Sequence, residues 1–330
     1  MRIHSHVAVQ IVLVLGICAA ANANDFTRTK YPILLAEGFG GLDYFQVEEA
    51  LEAGGATVCD APDDQVPHFA GSEIRANVLI AQLQNCAQAN GVSQVHLFGF
   101  SQGGEDARVV LTKRPDLLAS VTTIGSPHRF SSGLADRFIV CATAQQLGLP
   151  CLPDDQRAFD AFVGLGPFAG DPDAPDPTTS AAGILQVQCQ FSSGANPVAL
   201  LTCAASGFDI GPVFDLKYPV GLPLTTCGEG PAFVFGPGLR KIWLFSWGGT
   251  RVFTDPDDPS DPALARTGAF LAPGNDGLIE RCSTHFGRVL RDDYPWNHLD
   301  LINQGNGLTG PNDPTQVYRD HAHRLKLLGL

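Results

Sequence analysis

The sequence predicts an α/β fold, a mostly parallel central sheet flanked by helices, on three observations. Short apolar runs alternate with longer helical segments from Tyr31 to Ile124. Strands and helices of such lengths in alternation imply parallel pairing and right-handed crossovers. A serine stands in Gly99-Phe100-Ser101-Gln102-Gly103, a G-x-S-x-G pattern between an apolar run and a helical one. After His128 the alternation gives way to a stretch rich in Gly, Pro, Ala and Asp before Lys241 to Trp247 resumes strand character.

The elements follow in order. Arg2 gives a basic start, Val7 to Cys18 an apolar stretch and Ala21-Asn22-Ala23 a cleavage site, so residues 1–23 read as an export signal. The mature chain is then one domain over 24–330. Tyr31 to Ala36 predicts a buried strand that runs into the Gly-rich loop Glu37-Gly38-Phe39-Gly40-Gly41. Tyr44 to Ala53 predicts a helix ended by Gly54-Gly55, and Ala56 to Cys59 a second strand. Ser72-Glu73 opens a longer helix with Ile74, Val78, Leu79 and Leu83 on one side. Val95 to Phe98 is the strand before Ser101, Glu105 to Lys113 the helix after it, and Leu117 to Ile124 the next strand. Residues 129–215 read as an irregular insertion, a candidate lid or cap over a site.

Composition narrows the function classes. The chain of 330 residues carries a net charge of −13, which argues against a nucleic-acid partner. No stretch reaches the apolar length of a membrane span. Without Cys18, eight cysteines remain: Cys59, Cys86, Cys141, Cys151, Cys189, Cys203, Cys227 and Cys282. An even number in an exported chain predicts up to four disulfides, and their wide spacing argues against zinc.

A serine between strand and helix on a glycine-flanked bend is the nucleophile elbow of an α/β-hydrolase. Side chains at 99 and 103 would clash in so sharp a turn. The hydroxyl then needs a base, and the base a carboxylate, in the chain order Ser, Asp or Glu, His. His128 comes too early. His321 and His323 lie in a polar C-terminal helix and read as exposed. His285 and His298 remain as bases. The acid candidate is Asp276, in Pro273-Gly274-Asn275-Asp276-Gly277, where a loop is expected to leave a strand at Ala269-Phe270-Leu271.

The chain resembles the exported bacterial triacylglycerol lipases of the Pseudomonas and Burkholderia type. The matching segments include Tyr31 to Leu35, Gly99 to Gly104, Arg114 to Leu117, Tyr218 to Gly221 and Cys227 to Gly230. Asn275 to Leu278, Asn297 to Asp300 with Asn303-Gln304, and His321 to Lys326 complete them. The resemblance implies Ser101 as nucleophile, Asp276 as acid and His298 as base, with the backbone N–H groups of Phe39 and Gln102 as oxyanion donors. It implies a structural Ca²⁺ held by Asp300, by Asp255 or its runner-up Asp258, and by the carbonyls of Gln304 and Leu308. It further implies a Cys227–Cys282 disulfide, an ester or lipid substrate, secretion, and a dedicated folding chaperone. Packing of a strand on the helix that follows it suggests Cys59–Cys86, and proximity suggests Cys141–Cys151 and Cys189–Cys203.

Three positions depart from the family. Glu37 replaces His in the oxyanion loop, and its carboxylate is expected to point away from the pocket. Phe100 replaces His before the serine and is expected to lie behind the elbow. Glu105-Asp106 replaces small neutral residues. The expected activity is ester hydrolysis, as a lipase or, on the same triad, a short-chain esterase or polyester depolymerase. A non-catalytic binding protein on this fold is the reading from another class.

Overall fold

A computed structural model describes residues 25–59, 66–67, 72–128, 137, 141, 144, 148–163, 227–305 and 307–330. Seven strands form its sheet among these residues: β1 (Ile33–Ala36), β2 (Val58–Cys59), β3 (Val95–Phe100), β4 (Leu118–Ile124), β5 (Phe233–Phe235), β6 (Lys241–Gly249) and β7 (Arg288–Tyr294). Their order is β2-β1-β3-β4-β6, with β5 and β7 both on β6. Every pairing is parallel except β5 with β6. The mostly parallel sheet and the α/β-hydrolase fold expected from the sequence are therefore present.

Alternation along β3 explains the layers. Val95 and Leu97 point to a core shared with α2 (Ser72–Ala89) and α3 (Gln102–Lys113). Phe98 and Phe100 point to the opposite core, shared with α1 (Val47–Glu52) and α6 (Pro314–Leu327). With helices on both faces, β3 is buried throughout, as a continuous apolar run demands.

Three local expectations are corrected. The buried face of α2 holds Leu79 and Leu83 as expected, but Ile74 is exposed and Arg75 and Ala76 are buried in its place. Arg75 can sit there because a carboxylate meets it, as described below. Ala269-Phe270-Leu271 is not a strand but the turn after α5 (Asp261–Gly268). Leu271 packs there with Ala158 of α4 (Pro153–Val163). His321 is not exposed. It lies within the core under α6, hydrogen-bonded to Thr122 Oγ1 at 2.8 Å and flanked by the rings of Phe98, Phe245 and Trp247. His323 stacks on Phe26.

Disulfides join Cys59 to Cys86, Cys141 to Cys151 and Cys227 to Cys282. The suggested Cys189–Cys203 pair, the export signal, and residues 164–215 of the insertion lie outside the described residues. Among the described residues no helix is long and apolar enough to cross a membrane.

Candidate active site

β3 delivers Ser101 at its carboxyl end, in the middle of the sheet, and α3 begins at the next residue. Ser101 adopts φ 50° and ψ −121°, a region that L-residues rarely occupy and that the sharp turn imposes. The flanking glycines are sterically required. A Cβ at Gly99 would run into the Gly103 carbonyl, and one at Gly103 into the carbonyls of Ala36 and Glu37. Close approach of α3 to β1 and β3 thus depends on both positions.

Two loops beyond the sheet bring the remaining groups. His298 Nε2 lies 3.0 Å from Ser101 Oγ, and His298 Nδ1 lies 2.8 Å from Asp276 Oδ2. Asp276 is held from several sides. Its Oδ1 accepts the N–H groups of Leu278 and Ile279, and its carbonyl accepts the His298 N–H at 2.7 Å. Asp276 is fully buried and His298 nearly so. An anionic carboxylate there keeps the imidazole proton on Nδ1 and leaves Nε2 free to accept from the serine.

The other histidine candidate is elsewhere. His285 lies 2.9 Å from Asp292 Oδ2 beside the Cys227–Cys282 disulfide. Cys227, His285 and Asp292 cluster at metal-binding distance, but the disulfide consumes the Cys227 thiolate that such a site would need.

Opposite the base, Gln102 opens α3 and is fully buried, while half-buried Phe39 follows Gly38. A Cβ built on Gly38 would lie 3.0 Å from both Ser101 Cβ and the Phe100 ring. The loop therefore rests directly on the serine. Glu37 lines a cavity of about 450 Å³ together with Tyr44, Glu48, Arg75 and Asp106; neither Ser101 nor His298 lines it.

Phe100 differs from expectation in one respect. It is buried against Tyr44, as a packing residue should be, but its ring centroid also lies 4.8 Å from that of His298. It braces the base as well as the elbow. The Glu105-Asp106 departure forms two separate contacts. Glu105 pairs with Arg108 at 3.1 Å and with His128 at 2.9 Å. Burial raises the Glu105 carboxyl, but Arg108 and His128 outweigh it and hold the group below its usual value. Asp106 pairs with Arg75 Nε at 2.7 Å, both side chains almost wholly buried. Burial pushes Asp106 up to about 6 against the opposing pull of Arg75.

Past His298 lies a cluster of buried carboxylates. Asp258, Asp261 and Asp300 are all buried. Burial pushes Asp300 up to about 7, with Asp258 and Asp261 adding to it. Asp300 Oδ2 accepts the Asn297 N–H, while the buried Oδ1 has no hydrogen-bond partner among the described residues. Asp261 ties down the loop by accepting from the N–H groups of Thr254 and Asp255. Asp255 itself is half-buried and accepts from the Asp257 N–H. Asp258 instead turns inward, to Ser260 and Asn297 and against Gly305. Gln304 and Leu308 lie on the same loop beyond Asp300. An oxygen-only set with an orphaned carboxylate oxygen fits a hard divalent cation.

Comparison with curated proteins places this chain. A triacylglycerol lipase of Vibrio cholerae is 36% identical over 325 residues, covering 94% of this chain and 92% of the relative. The chain belongs to the triacylglycerol lipase family. Family members of Burkholderia plantarii and Pseudomonas fragi are 33% and 32% identical, covering 94% and 93% of this chain and 90% and 100% of their own. No protein-family model matches the chain. Within this lipase framework, Arg75 and its bond to Asp106 were not legible in the sequence. The only signal was the acidic pair after the elbow.

Proposed function

We propose that this member of the lipase family hydrolyses carboxylic esters, with triacylglycerol as its substrate class, through Ser101, His298 and Asp276. The observation that carries this is the hydrogen-bonded chain from Asp276 through His298 to Ser101. Ser101 Oγ attacks the ester carbonyl carbon while its proton passes to His298 Nε2. The carbonyl electron pair moves to oxygen, where the N–H groups of Phe39 and Gln102 receive it. Collapse expels the alkoxide, which takes the proton from Nε2 and leaves as alcohol. Water then repeats the sequence on the acyl-serine, releasing the acid and restoring Oγ–H. Asp276 stays ionised throughout and stabilises the imidazolium.

In the same reading, Asp258 and Asp300, with the carbonyls of Gln304 and Leu308, would hold Ca²⁺. We assign the second carboxylate to Asp258 rather than Asp255, because Asp258 is the one turned in beside Asp300's loop. The ion would fix the segment that follows His298 and would take no part in bond making. Export to an oxidising compartment is in keeping with the disulfides.

The test is hydrolysis of p-nitrophenyl esters across acyl lengths and of emulsified triacylglycerol. Ser101→Ala should lower kcat at least about 10⁴-fold. Activity surviving in that variant would remove Ser101 as nucleophile. Hydrolysis confined to short, dissolved esters would instead make the chain an esterase on the same triad.

A further inference from the structure

An oxyanion donor works only if its N–H is already aimed before charge develops. Gln102 is aimed by its place at the start of α3. Phe39 sits on the glycine-rich loop after β1. A buried cation lies behind that loop. Arg75, from α2, donates through Nη2 to the Glu37 carbonyl at 2.7 Å and to the Gly38 carbonyl at 3.2 Å. Its Nε donates to Asp106 Oδ2 at 2.7 Å. Asp106 lies one helical turn after Gln102, on the same helix.

The geometry has a consequence for Phe39. The Gly38 carbonyl and the Phe39 N–H belong to one peptide unit, and none of the described peptides is cis. In a trans planar peptide the two groups point in opposite directions. A guanidinium holding the carbonyl from behind therefore turns the N–H outward. Gly38 itself abuts Ser101, since a Cβ on it would lie 3.0 Å from Ser101 Cβ. A charged donor on the carbonyl also polarises the peptide, which strengthens its N–H as a donor.

Resting on the hydrolase reading above, we propose that Arg75 is a positioning residue for the oxyanion site. It orients the Gly38–Phe39 peptide towards the serine, while Asp106 anchors it to the helix that supplies the Gln102 N–H. The two halves of the site, from loop and helix, are then set relative to one another by a single ion pair. Arg is suited to this because its planar fork reaches several acceptors at once, where Lys offers a point charge.

Removing one partner of a buried pair alone leaves an unpaired charge and threatens folding, whereas replacing both with apolar groups is often neutral. The test therefore uses Arg75→Met/Asp106→Leu together, and Arg75→Lys as a fold-safe second variant that keeps the charge opposite Asp106. Thermal midpoint, KM and kcat are read on p-nitrophenyl butyrate. Both variants should melt close to wild type with KM within about twofold, and kcat should fall at least about tenfold, towards the hundredfold known for loss of an oxyanion donor. A purely structural pair predicts unchanged kcat in every variant that folds. If the double variant does not fold, Arg75→Lys alone decides. Active wild type with unchanged kcat in the folded variants overturns the proposal alone. Wild type lacking activity that depends on Ser101 overturns the hydrolase reading, and this proposal with it.

Discussion

Gly38 shows how little room the serine leaves around itself. The residue has no positive φ to justify a glycine; the requirement is contact, since a methyl would meet Ser101 Cβ and the Phe100 ring at 3.0 Å. Gly38→Ala must therefore push the loop off the serine by a few tenths of an ångström. We expect kcat to fall about tenfold or more, since sub-ångström errors in placement carry costs of this order. The thermal midpoint should move by only a few degrees. Unchanged kcat in a folded Gly38→Ala protein would show that the loop tolerates displacement. Phe100 acts at the same scale. Where the family has a polar ring before the serine, this chain places an apolar one against the imidazole of His298.

At the scale of elements, the loop from Trp296 to Leu308 carries both His298 and Asp300, one member of the carboxylate cluster. Ca²⁺ bound to Asp258 and Asp300 would cross-link it to the loop before α5. Chelation with EGTA should lower the thermal midpoint and the activity together, with Ca²⁺ restoring both. Ion at a hundredfold excess over its Kd contributes about 2.7 kcal/mol, which is about 4 °C for a domain of about 300 residues. A melting curve indifferent to EGTA would remove the cation from this loop. Strands such as Val95–Phe100 and Leu118–Ile124 were readable because burial on both faces makes them short unbroken apolar runs. Ala269 to Leu271 imitated one, because its apolar residues serve a turn packed on α4 instead of a sheet. The side chains that meet at Ser101, His298 and Asp276 were readable from chain order and flanking motifs. The choice between His285 and His298 was not fixed by residues alone, because both have a carboxylate nearby and only folding shows which one reaches Ser101. Arg75 was hidden for a related reason: its partner is on another helix, 31 residues away.

Over the whole molecule, the core under α6 holds two fully buried histidines, His96 and His321. His96 is fully buried with Nδ1 2.8 Å from Ser120 Oγ, and burial lowers it to about 3; burial likewise holds His321 well below its ordinary value. An unfolded chain takes up these protons near 6.5, whereas the folded chain refuses the His96 proton until about pH 3. The folded pKa is depressed, so this stability is present above 6.5 and is lost as pH falls. The loss is about 1.4 kcal/mol per pH unit for each such histidine. His96→Gln should flatten the dependence of unfolding free energy on pH by about one proton between pH 4 and 6, measured by urea melts. An unchanged slope would mean that His96 titrates normally. His321 escaped the sequence reading because its hydrogen-bond partner, Thr122, comes from a strand 199 residues earlier. A similar separation, 197 residues, lies between Ser101 and His298. At 5–20 residues per second, the ribosome finishes the serine roughly 10–40 s before the histidine. Throughout that interval Ser101 has no imidazole beside it, so on the proposed mechanism the nascent chain would be inert while it is still being made.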